Sequence, residues 1–584
     1  MSKKKDIRRQ NVIQLILGLV IIALLNLIGQ HYFTRFDLTS EKKYTLSETT
    51  KELVRSFDDY VTFRVYLEGD FPAGFKKLKR ETREMLDEFV AYNANIQYEF
   101  IDPSEVTDQR RRNDFYADLN EKGIEPTTLR TEESGRHSQQ LIFPGAIVNY
   151  KATREEAVNF LESQMGASTE NQINASIQAL EYNLATVLKK LKSAEKDKIA
   201  FLHGHGEIPK LHLEGAKNAL SEFYNVSHFI TEEKVNSLLD RTEVDSSNVE
   251  VEPRFKAIII ARPTKAFSKR EKFLIDQYIM HGGKVLWMID PVMTDMDSLQ
   301  ASPRTLAMPA DLNLDDLLFR YGVRLNRNLI QDLRSAEIPL NTQPAGMKPR
   351  FEMFPWPYFP VLMPAGDHPI VKNLNGIKGE FTSTLDTISE NDISKTMLLK
   401  TSPNTRVLRA PTEINLSIIN RKPTKRAFNS GSQNVAVLLE GSFPSVYKNR
   451  MPPEITKSKK MAFRTKSHPT QMIVASDGDI IKNASSARQG NTQPLPLGVD
   501  KFTGQQYGNE DFIVNAMNYL CDETGLLNVR SRNLEIRIMD RAKIAAQKMQ
   551  WQIINVVIPV ALVLLLSLVW NLIRRRKYIK KNKN

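Results

Sequence analysis

Two uncharged apolar runs, one near each end of the chain, constrain its fold more than any other feature of the sequence. Residues 12–28 read VIQLILGLVIIALLNLI, and residues 553–573 read IINVVIPVALVLLLSLVWNLI. An α-helix needs about 20 such residues to cross a bilayer. We therefore predict membrane helices at residues 10–33 and 551–573, with the rest of the chain in water.

Each run has an alternative interpretation. The first resembles a secretory signal peptide, but no small-residue cleavage site follows it and the sequence continues with QHYF. The second resembles a buried core helix, but Trp551 and Trp570 lie near its ends, where indole rings favour the membrane interface. Two uncleaved membrane helices are the favoured interpretation.

The distribution of charge predicts how these helices are oriented. The formal net charge is +13, and most of it lies in two basic tails, residues 1–9 and 574–584. Basic segments beside membrane helices stay in the cytoplasm. We predict a two-pass protein of a bacterial inner membrane, with both termini cytoplasmic and the bulk of the chain periplasmic. The body between the tails is nearly neutral and lacks the basic surface typical of nucleic-acid-binding proteins.

The first soluble segment, residues 36–191, combines strand and helix patterns. Its predicted elements are a strand at 61–67, a helix at 75–92, a strand at 96–101, a hairpin at 141–150 and an amphipathic helix at 171–191. The hairpin is expected to turn at Pro144-Gly145. This order predicts a thioredoxin-like domain followed by a connecting helix, although the segment has no CxxC motif.

The second soluble segment, residues 198–525, alternates strands and helices. Strands are predicted at 199–202, 255–261, 285–289, 397–401, 435–440 and 472–475, and helices at 213–224, 268–280 and 511–522. The run FKAIIIA is apolar throughout, which is typical of a parallel strand covered on both faces. We predict an α/β fold with a doubly wound sheet and long insertions. A juxtamembrane segment, residues 526–550, leads to the last helix.

Several stretches of the sequence resemble a known family. They are RFDLTSEKKYTLS (35–47), YLEGDFPAGFKKLKRETREMLDEF (66–89), LLEGSFPSVYKNR (438–450), VASDGD (474–479), PLPLGVDKF (494–502) and YGNEDFIVNAMNYL (507–520). These stretches are similar to the GldG family of gliding-motility-associated ABC transporter substrate-binding proteins of Bacteroidetes. The second segment also resembles the domain that this family shares with intraflagellar transport proteins.

The resemblance implies several properties. The shared domain is related to class I glutamine amidotransferases, usually without their catalytic groups, so the resemblance implies an amidotransferase-like sheet in the second segment. It also implies two partners, an ABC-2-type permease and a cytoplasmic ATPase, in a complex needed for gliding.

The residues themselves argue against catalysis. An amidotransferase needs a cysteine nucleophile on a tight strand-to-helix turn with a histidine base in reach. The one cysteine, Cys521, falls near the end of a predicted helix and is expected to be inert. No GxxxxGK[ST] phosphate-binding loop occurs, so ATP hydrolysis requires another chain. We predict no enzyme activity, no cofactor and no metal.

Two loops carry candidate ligand-binding residues, because each follows a predicted strand where open α/β sheets bind ligands. His203, His205 and Glu207 follow the first strand of the second segment, and Asp477 and Asp479 follow the last. The alternative is structural: hydrogen bonds within the first loop, and an Asp turn in the second.

A third candidate is the aromatic stretch FPWPYF at 354–359, which suits a sugar or peptide but is more simply a lid packed on the domain.

Three functions remain open at this point. The first is a non-catalytic accessory subunit of an ABC transporter complex. The second is a periplasmic enzyme that uses His203, His205 and Glu207. The third is a structural link between the inner membrane and an envelope machine. The absent nucleophile favours the first, and no transported substrate is identified.

Overall fold

The computed structural model describes residues 45–531, residues 553–579 and a few residues between 13 and 24. Within the first range it leaves out residues 134–135, 152, 162–167, 193–195, 232–236, 244–248, 344–346, 389–392, 421–423, 457–461, 489–490 and 523–524. The described part contains a large α/β body, residues 45–531, and the C-terminal apolar helix. Most of the predicted first membrane helix, residues 10–33, lies outside it.

The N-terminal part of the body is built around a four-stranded mixed sheet. Its elements are α1 (Glu48–Arg55), β1 (Val61–Val65), α2 (Ala73–Tyr92), β2 (Ile96–Phe100), α3 (Gln109–Glu121), β3 (Thr127–Glu133), β4 (Arg136–Ile142), β5 (Gly145–Tyr150), β6 (Arg154–Asn159) and α4 (Thr169–Lys192). The sheet has the order β2-β1-β5-β6, in which β1 and β2 are parallel and the other pairs antiparallel. Val61, Phe63 and Val65 are buried, as their alternation predicts. The thioredoxin-like assignment stays a prediction.

The hairpin predicted at 141–150 is wrong. β4 pairs with β3 in a separate ribbon, whereas β5 pairs with β1 and β6 in the sheet. The chain passes from the ribbon to the sheet at Pro144-Gly145, where a Cβ on Gly145 would lie 2.7 Å from the carbonyl oxygen of Val158. The close approach of two strands, and not a turn between them, therefore explains this glycine.

Helix α4 packs against both parts of the body. Ile173, Leu180 and Leu188 belong to the N-terminal core, whereas Tyr182 and Ala185 belong to the core of the larger sheet. The predicted apolar stripe is therefore core, and the helix joins the two parts as expected.

The larger part of the body follows α4 in the sequence. Its elements are β7 (Lys198–His203), α5 (Glu214–Ser221), β8 (Asn225–Ile230), β9 (Leu239–Glu243), β10 (Val249–Pro253), β11 (Ala257–Ala261), α6 (Lys269–Met280), β12 (Lys284–Met288), β13 (Val292–Met293), α7 (Met296–Ala301), β14 (Arg304–Pro309), α8 (Asp315–Tyr321), β15 (Val323–Leu325), β16 (Asn328–Asp332), β17 (Ser335–Asn341), β18 (Phe351–Pro364), β19 (Ile377–Lys378), β20 (Leu385–Thr387), β21 (Ser394–Lys400), β22 (Thr405–Arg409), β23 (Thr412–Asn415), β24 (Asn434–Gly441), α9 (Pro453–Thr456), β25 (Thr470–Ala475), β26 (Ser485–Arg488), β27 (Asn491–Pro494) and α10 (Asn509–Cys521). The main sheet has the order β17-β18-β21-β24-β25-β12-β11-β7-β8.

The main sheet has a parallel half and an antiparallel half. β25, β12, β11, β7 and β8 are parallel, and from β24 to β17 each strand is antiparallel to its neighbours. Numbered along the chain, the parallel strands follow the 2-1-3-4-5 order of one kind of doubly wound sheet. The amidotransferase-like assignment stays a prediction.

Helices cover both faces of the parallel half. Ile258 and Ile260 of β11 share a core with α6 and α8, whereas Ala257 and Ile259 share the opposite core with α5 and α10. Because both faces are buried, the strand is apolar throughout instead of alternating.

Helix α6 starts as predicted. The backbone N of Glu271 donates to Ser268 Oγ at 3.2 Å, and the backbone N of Ser268 donates to Glu271 Oε2 at 2.9 Å. These two bonds form the expected capping box.

The sequence between β12 and β25 supplies the predicted insertions. It forms the antiparallel half of the main sheet and the small sheets β13-β14-β23, β15-β20 and β16-β22. The aromatic stretch at 354–359 lies in β18, where Trp356, Tyr358 and Phe359 are buried in a core with Phe381. Three of its rings are therefore packed against the domain, as the simpler interpretation predicted.

A separate apolar helix, α11 (Ile558–Ile579), follows a π-helical turn at Ile553–Val557. Among the described residues, Ile553–Ile573 is the one helix that is long and apolar enough to cross a membrane. The two-pass arrangement stays a prediction.

Candidate functional site

The carboxyl ends of β7, β11, β12 and β25 meet along one edge of the main sheet, which we call the carboxyl edge. The strand order reverses between β7 and β11, and doubly wound sheets bind ligands at such a position. The loops after these two strands are joined by hydrogen bonds, because the backbone N atoms of Thr264 and Lys265 both donate to the carbonyl oxygen of His205 at 2.8 Å. The carboxyl edge is therefore the candidate site.

His205 is held between two carboxylates in the loop after β7. Its Nδ1 lies 3.1 Å from Glu207 Oε1, its Nε2 lies 3.0 Å from Glu271 Oε1, and its ring stacks on Phe267 at 3.7 Å. Glu207 also accepts hydrogen bonds from the backbone N atoms of Gly204 and His205. Both ring nitrogens of His205 thus lie within 3.1 Å of a carboxylate oxygen.

The electrostatics of this triad favour its charged form. Burial alone would lower the pKa of His205, but its bonds to Glu207 and Glu271 raise the pKa above the ordinary value. Burial alone would raise the pKa of Glu207, but the bonds from His205 and from backbone N–H groups lower it. The raised pKa of His205 and the lowered pKa of Glu207 both favour an imidazolium between carboxylates. The triad links the loop after β7 to the start of α6, at the point where the strand order reverses.

His203 has different partners from its neighbour. Its Nε2 lies 2.7 Å from Nδ1 of His228 on β8. Burial lowers the pKa of His203, and burial together with His203 lowers the pKa of His228 to about 4. The structure thus joins two of the predicted residues, His205 and Glu207, and places His203 in a neutral histidine pair.

Asp477 and Asp479 lie in a second buried network, farther along the carboxyl edge. Asp477 Oδ1 accepts a hydrogen bond from the backbone N of Asp479 at 2.9 Å, which is the predicted Asp turn. Asp477 Oδ2 accepts from the backbone N of Glu380 at 2.9 Å and from the hydroxyl of Thr382. Asp479 Oδ1 lies 3.2 Å from Lys482 Nζ.

Arg262 and Asp290 complete this network from the ends of β11 and β12. Arg262 Nε donates to Asp290 Oδ2 at 2.7 Å, and its Nη1 lies 3.3 Å from Asp479 Oδ1. Arg262 has a φ of 54°, in the left-handed region, and a Cβ on Gly478 would lie 2.5 Å from the Arg262 Cβ. Glycine is therefore needed at position 478 for the two loops to approach.

The three aspartates of this network come close enough together to suggest a cation site. Ligand oxygens of Asp290, Asp477 and Asp479 all lie within 4.8 Å of one another. Burial and the neighbouring Asp479 raise the pKa of Asp290 to about 6. Arg262 and Lys482 already supply positive charge to two of these carboxylates, Asp290 and Asp479. Because of this internal compensation, the donor set fits a structural charge network better than a metal centre.

The sequence interpretation missed Arg262 and Asp290. Both follow predicted apolar strands directly, as His203 does, so the same rule would have found them. Their pairing with Asp479 could not be predicted, because it depends on which strands are neighbours.

Cys521 lies at the end of α10, away from any strand-to-helix turn. Its side chain is buried, and burial raises the pKa of the thiol to about 12. Such a thiol is a poor nucleophile, because the thiolate is the reactive form.

Comparison with known sequences places most of this chain in one family. Residues 196–516 match the family described as "ABC-type uncharacterized transport system", and residues 40–149 match a domain of unknown function, DUF7088. An uncharacterized protein of Borreliella burgdorferi is 21% identical over 451 residues, which cover 76% of this chain and 80% of that protein.

Two solved structures are similar at low scores. The mmIFT52 N-terminal domain is 12% identical with a TM-score of 0.29, and covers 56% of this chain and 97% of its own. A structure described as a thua-like protein from Parabacteroides merdae is 10% identical with a TM-score of 0.25, and covers 56% of this chain and 90% of its own. These TM-scores are too low to support an argument.

The fold and the site define an α/β protein whose carboxyl edge is closed by buried charge pairs and whose C-terminal helix can anchor it in a membrane. The family match covers more than half of the chain, so the chain belongs to the family of auxiliary components of ABC-type transport systems. It therefore has an accessory role in a transport system and associates with an ABC transporter complex.

Proposed function

We propose that this chain is a non-catalytic, substrate-binding accessory subunit of an ABC transporter complex required for gliding motility, of the GldG type found in Bacteroidetes. In this proposal two membrane helices hold thioredoxin-like and amidotransferase-like domains in the periplasm. The partners are an ABC-2-type permease and a cytoplasmic ATPase.

The non-catalytic part of the proposal rests on the surroundings of His205 and Cys521, two residues of the kinds that act in catalysis. Both ring nitrogens of His205 face carboxylates, and the Cys521 thiol is buried with a raised pKa. A working nucleophile and base must be exposed to substrate and able to exchange a proton. This arrangement supports binding over catalysis.

Two features support the proposal that this chain works with partner subunits. The sequence has no GxxxxGK[ST] loop, so the energy for transport must come from an ATPase in another chain. The C-terminal apolar helix carries Asn555, Ser567 and Asn571. Polar side chains in lipid prefer partners on neighbouring helices, which suits docking on a permease.

The partner proposal is tested by purifying the full-length chain from its native membrane in detergent and identifying the bound subunits. We expect a permease and an ATPase to co-purify, and we expect N555L/S567A/N571L to lose the permease. The apolar control L564M/L566M should retain it. If the wild-type chain captures no transporter subunit, the complex proposal fails and a structural link to an envelope machine takes its place.

The non-catalytic part is tested with His203→Ala, because His203 can be removed without leaving a buried charge unpaired. We expect gliding and complex assembly to persist in H203A and in H228A, which removes the other half of the pair. An enzyme using His203 predicts instead that H203A folds and assembles normally but loses function, while H228A retains it.

A further inference from the structure

A groove of about 1260 Å³ lies outside the carboxyl edge and shares no lining residue with it. Its walls come from α8, β15, β22 and the loop after β24. Pockets for single small molecules usually enclose about 300–1,000 Å³. The groove is larger and open, which suits an extended ligand of several units.

The groove carries more positive than negative side chains. Its cationic residues are Arg320, Arg324, Arg327, Arg409, Lys448 and Arg450, and its carboxylates are Asp315, Asp316 and Asp386. Arg324 pairs with Asp386 at 2.6 Å and Arg327 with Asp315 at 2.9 Å. Asp316 is shared between Arg450 at 3.9 Å and Lys272.

Three of the cations have no carboxylate partner within the part of the chain that the structure describes: Arg320, Arg409 and Lys448. They come from α8, β22 and the loop after β24, so three separate elements bring uncompensated positive charge to one groove. A guanidinium binds a carboxylate through two parallel hydrogen bonds, which makes arginine suited to an acidic ligand.

The groove also offers hydrogen-bond acceptors and an aromatic face. The side chains of Asp315 and Asp386 are 76% and 51% exposed despite their ion pairs, and Phe319 is 53% exposed. A ligand that suits this surface carries acid groups for the arginines, hydroxyl donors for the aspartates and a flat apolar face for the ring.

The walls of the groove are held in place by one buried carboxylate. Asp276 accepts hydrogen bonds from the hydroxyl of Tyr321 at 3.0 Å, from Ser445 Oγ at 2.7 Å and from the backbone N of Val446 at 3.0 Å. It thereby ties α8 to the loop that carries Lys448. Because its two walls share this anchor, a ligand would meet a groove whose shape is already set, which favours binding.

We propose that this groove binds an acidic oligosaccharide, whose carboxylates pair with the arginines while its hydroxyls donate to Asp315 and Asp386. A peptide of consecutive acidic residues fits less well, because its side chains offer these two carboxylates no hydrogen-bond donor and its backbone N–H groups are the only donors left. The proposal goes beyond the accessory role and does not depend on the permease.

The test is calorimetric titration of the full-length chain in detergent with tetragalacturonate, its neutral methyl ester and tetraglutamate as probes. We expect tetragalacturonate to bind, the ester and the peptide to bind much more weakly, and affinity to fall with added salt. R320Q/R409Q/K448Q should weaken binding by about tenfold or more, since each lost charge-assisted hydrogen bond is individually strong. R110Q/R111Q/K348Q removes the same charge from exposed positions elsewhere and should leave binding unchanged.

Phe319→Ala provides a second variant, because it alters no charge and replaces an exposed side chain. We expect it to weaken tetragalacturonate binding while the melting temperature stays unchanged. Equal binding of the ester, stronger binding of tetraglutamate, or unchanged affinity in R320Q/R409Q/K448Q would each overturn the proposal. Permease capture by R320Q/R409Q/K448Q should equal that of the wild type. The binding experiment and the capture experiment therefore test the groove proposal and the complex proposal separately.

Discussion

Two largely buried cations at the carboxyl edge each lie between two carboxylates. His205 lies between Glu207 and Glu271, and Arg262 lies between Asp290 and Asp479. Removing one member of such a pair leaves a charge buried without compensation, which is more costly than losing an exposed ion pair.

His205→Gln tests the charged triad through its pH dependence. The folded-state pKa of His205 is raised, so its stabilising contribution is complete below the unfolded value and is lost as pH rises through the folded value. We expect H205Q to lower the free energy of unfolding by about 3 kcal/mol at about pH 6, and by less as pH rises to about 9.

The measurement is urea unfolding of the full-length chain in detergent across this range. His468→Gln, which replaces an exposed histidine, is the control and should give a pH profile parallel to that of the wild type. A constant difference between wild type and H205Q at all pH values would contradict the charged triad.

Cys521 should be unreactive until the protein unfolds, because burial raises its pKa to about 12. A chromogenic thiol reagent added to the native chain should give little signal at neutral pH, and the full signal in denaturant. Cys521→Ser should retain transport function and cost about 1 kcal/mol of stability. Rapid labelling of the native chain, or loss of function in a folded C521S protein, would contradict an inert thiol.

The sequence predicted elements well where apolar residues repeat at a clear period. The buried strand β11 and the capped helix α6 both lie where the pattern places them. Helix α3 was missed because it buries Leu119 alone and therefore shows no apolar stripe. The hairpin at 141–150 was misplaced because local sequence does not reveal that β4 pairs outside the sheet that contains β5.

Gly478→Ala tests the close approach of the loops after β11 and β25. A Cβ at this position would lie 2.5 Å from the Arg262 Cβ, so the loops must move apart. We expect a loss of about 1–3 kcal/mol in the free energy of unfolding. Gly366→Ala is the matched control, because a Cβ there meets no atom within 4 Å. Equal stability of the two variants would show that the approach is not required.

The sequence predicted the α/β class and the strand ends that are followed by candidate ligand-binding residues. It could not indicate the groove, because Arg320, Arg409 and Lys448 are brought together by α8, β22 and the loop after β24, which are separated in the sequence. Nor could it separate His203 from His205, since the partner of His203 lies on the neighbouring strand β8.

The predicted topology is tested by fusing alkaline phosphatase, which is active in the periplasm alone, to chains that end after Glu250 or after Lys583. We expect activity from the first fusion and none from the second, because the basic tail should stay in the cytoplasm. A reporter that functions in the cytoplasm should give the opposite pattern. The reverse result would place the body on the cytoplasmic side and contradict the periplasmic proposal.

The pairing of β25 also determines when the body can be completed during synthesis. Val285 of β12 lies beside Met472, and Ala436 of β24 lies beside Ala475, so the two halves of the main sheet join through a strand that is made late. Contacts between residues far apart in the sequence form slowly. A growing chain therefore carries the open edge of β12 while the whole insertion is being made, and such an edge invites aggregation. We expect the newly made protein to depend on chaperones until β25 has emerged.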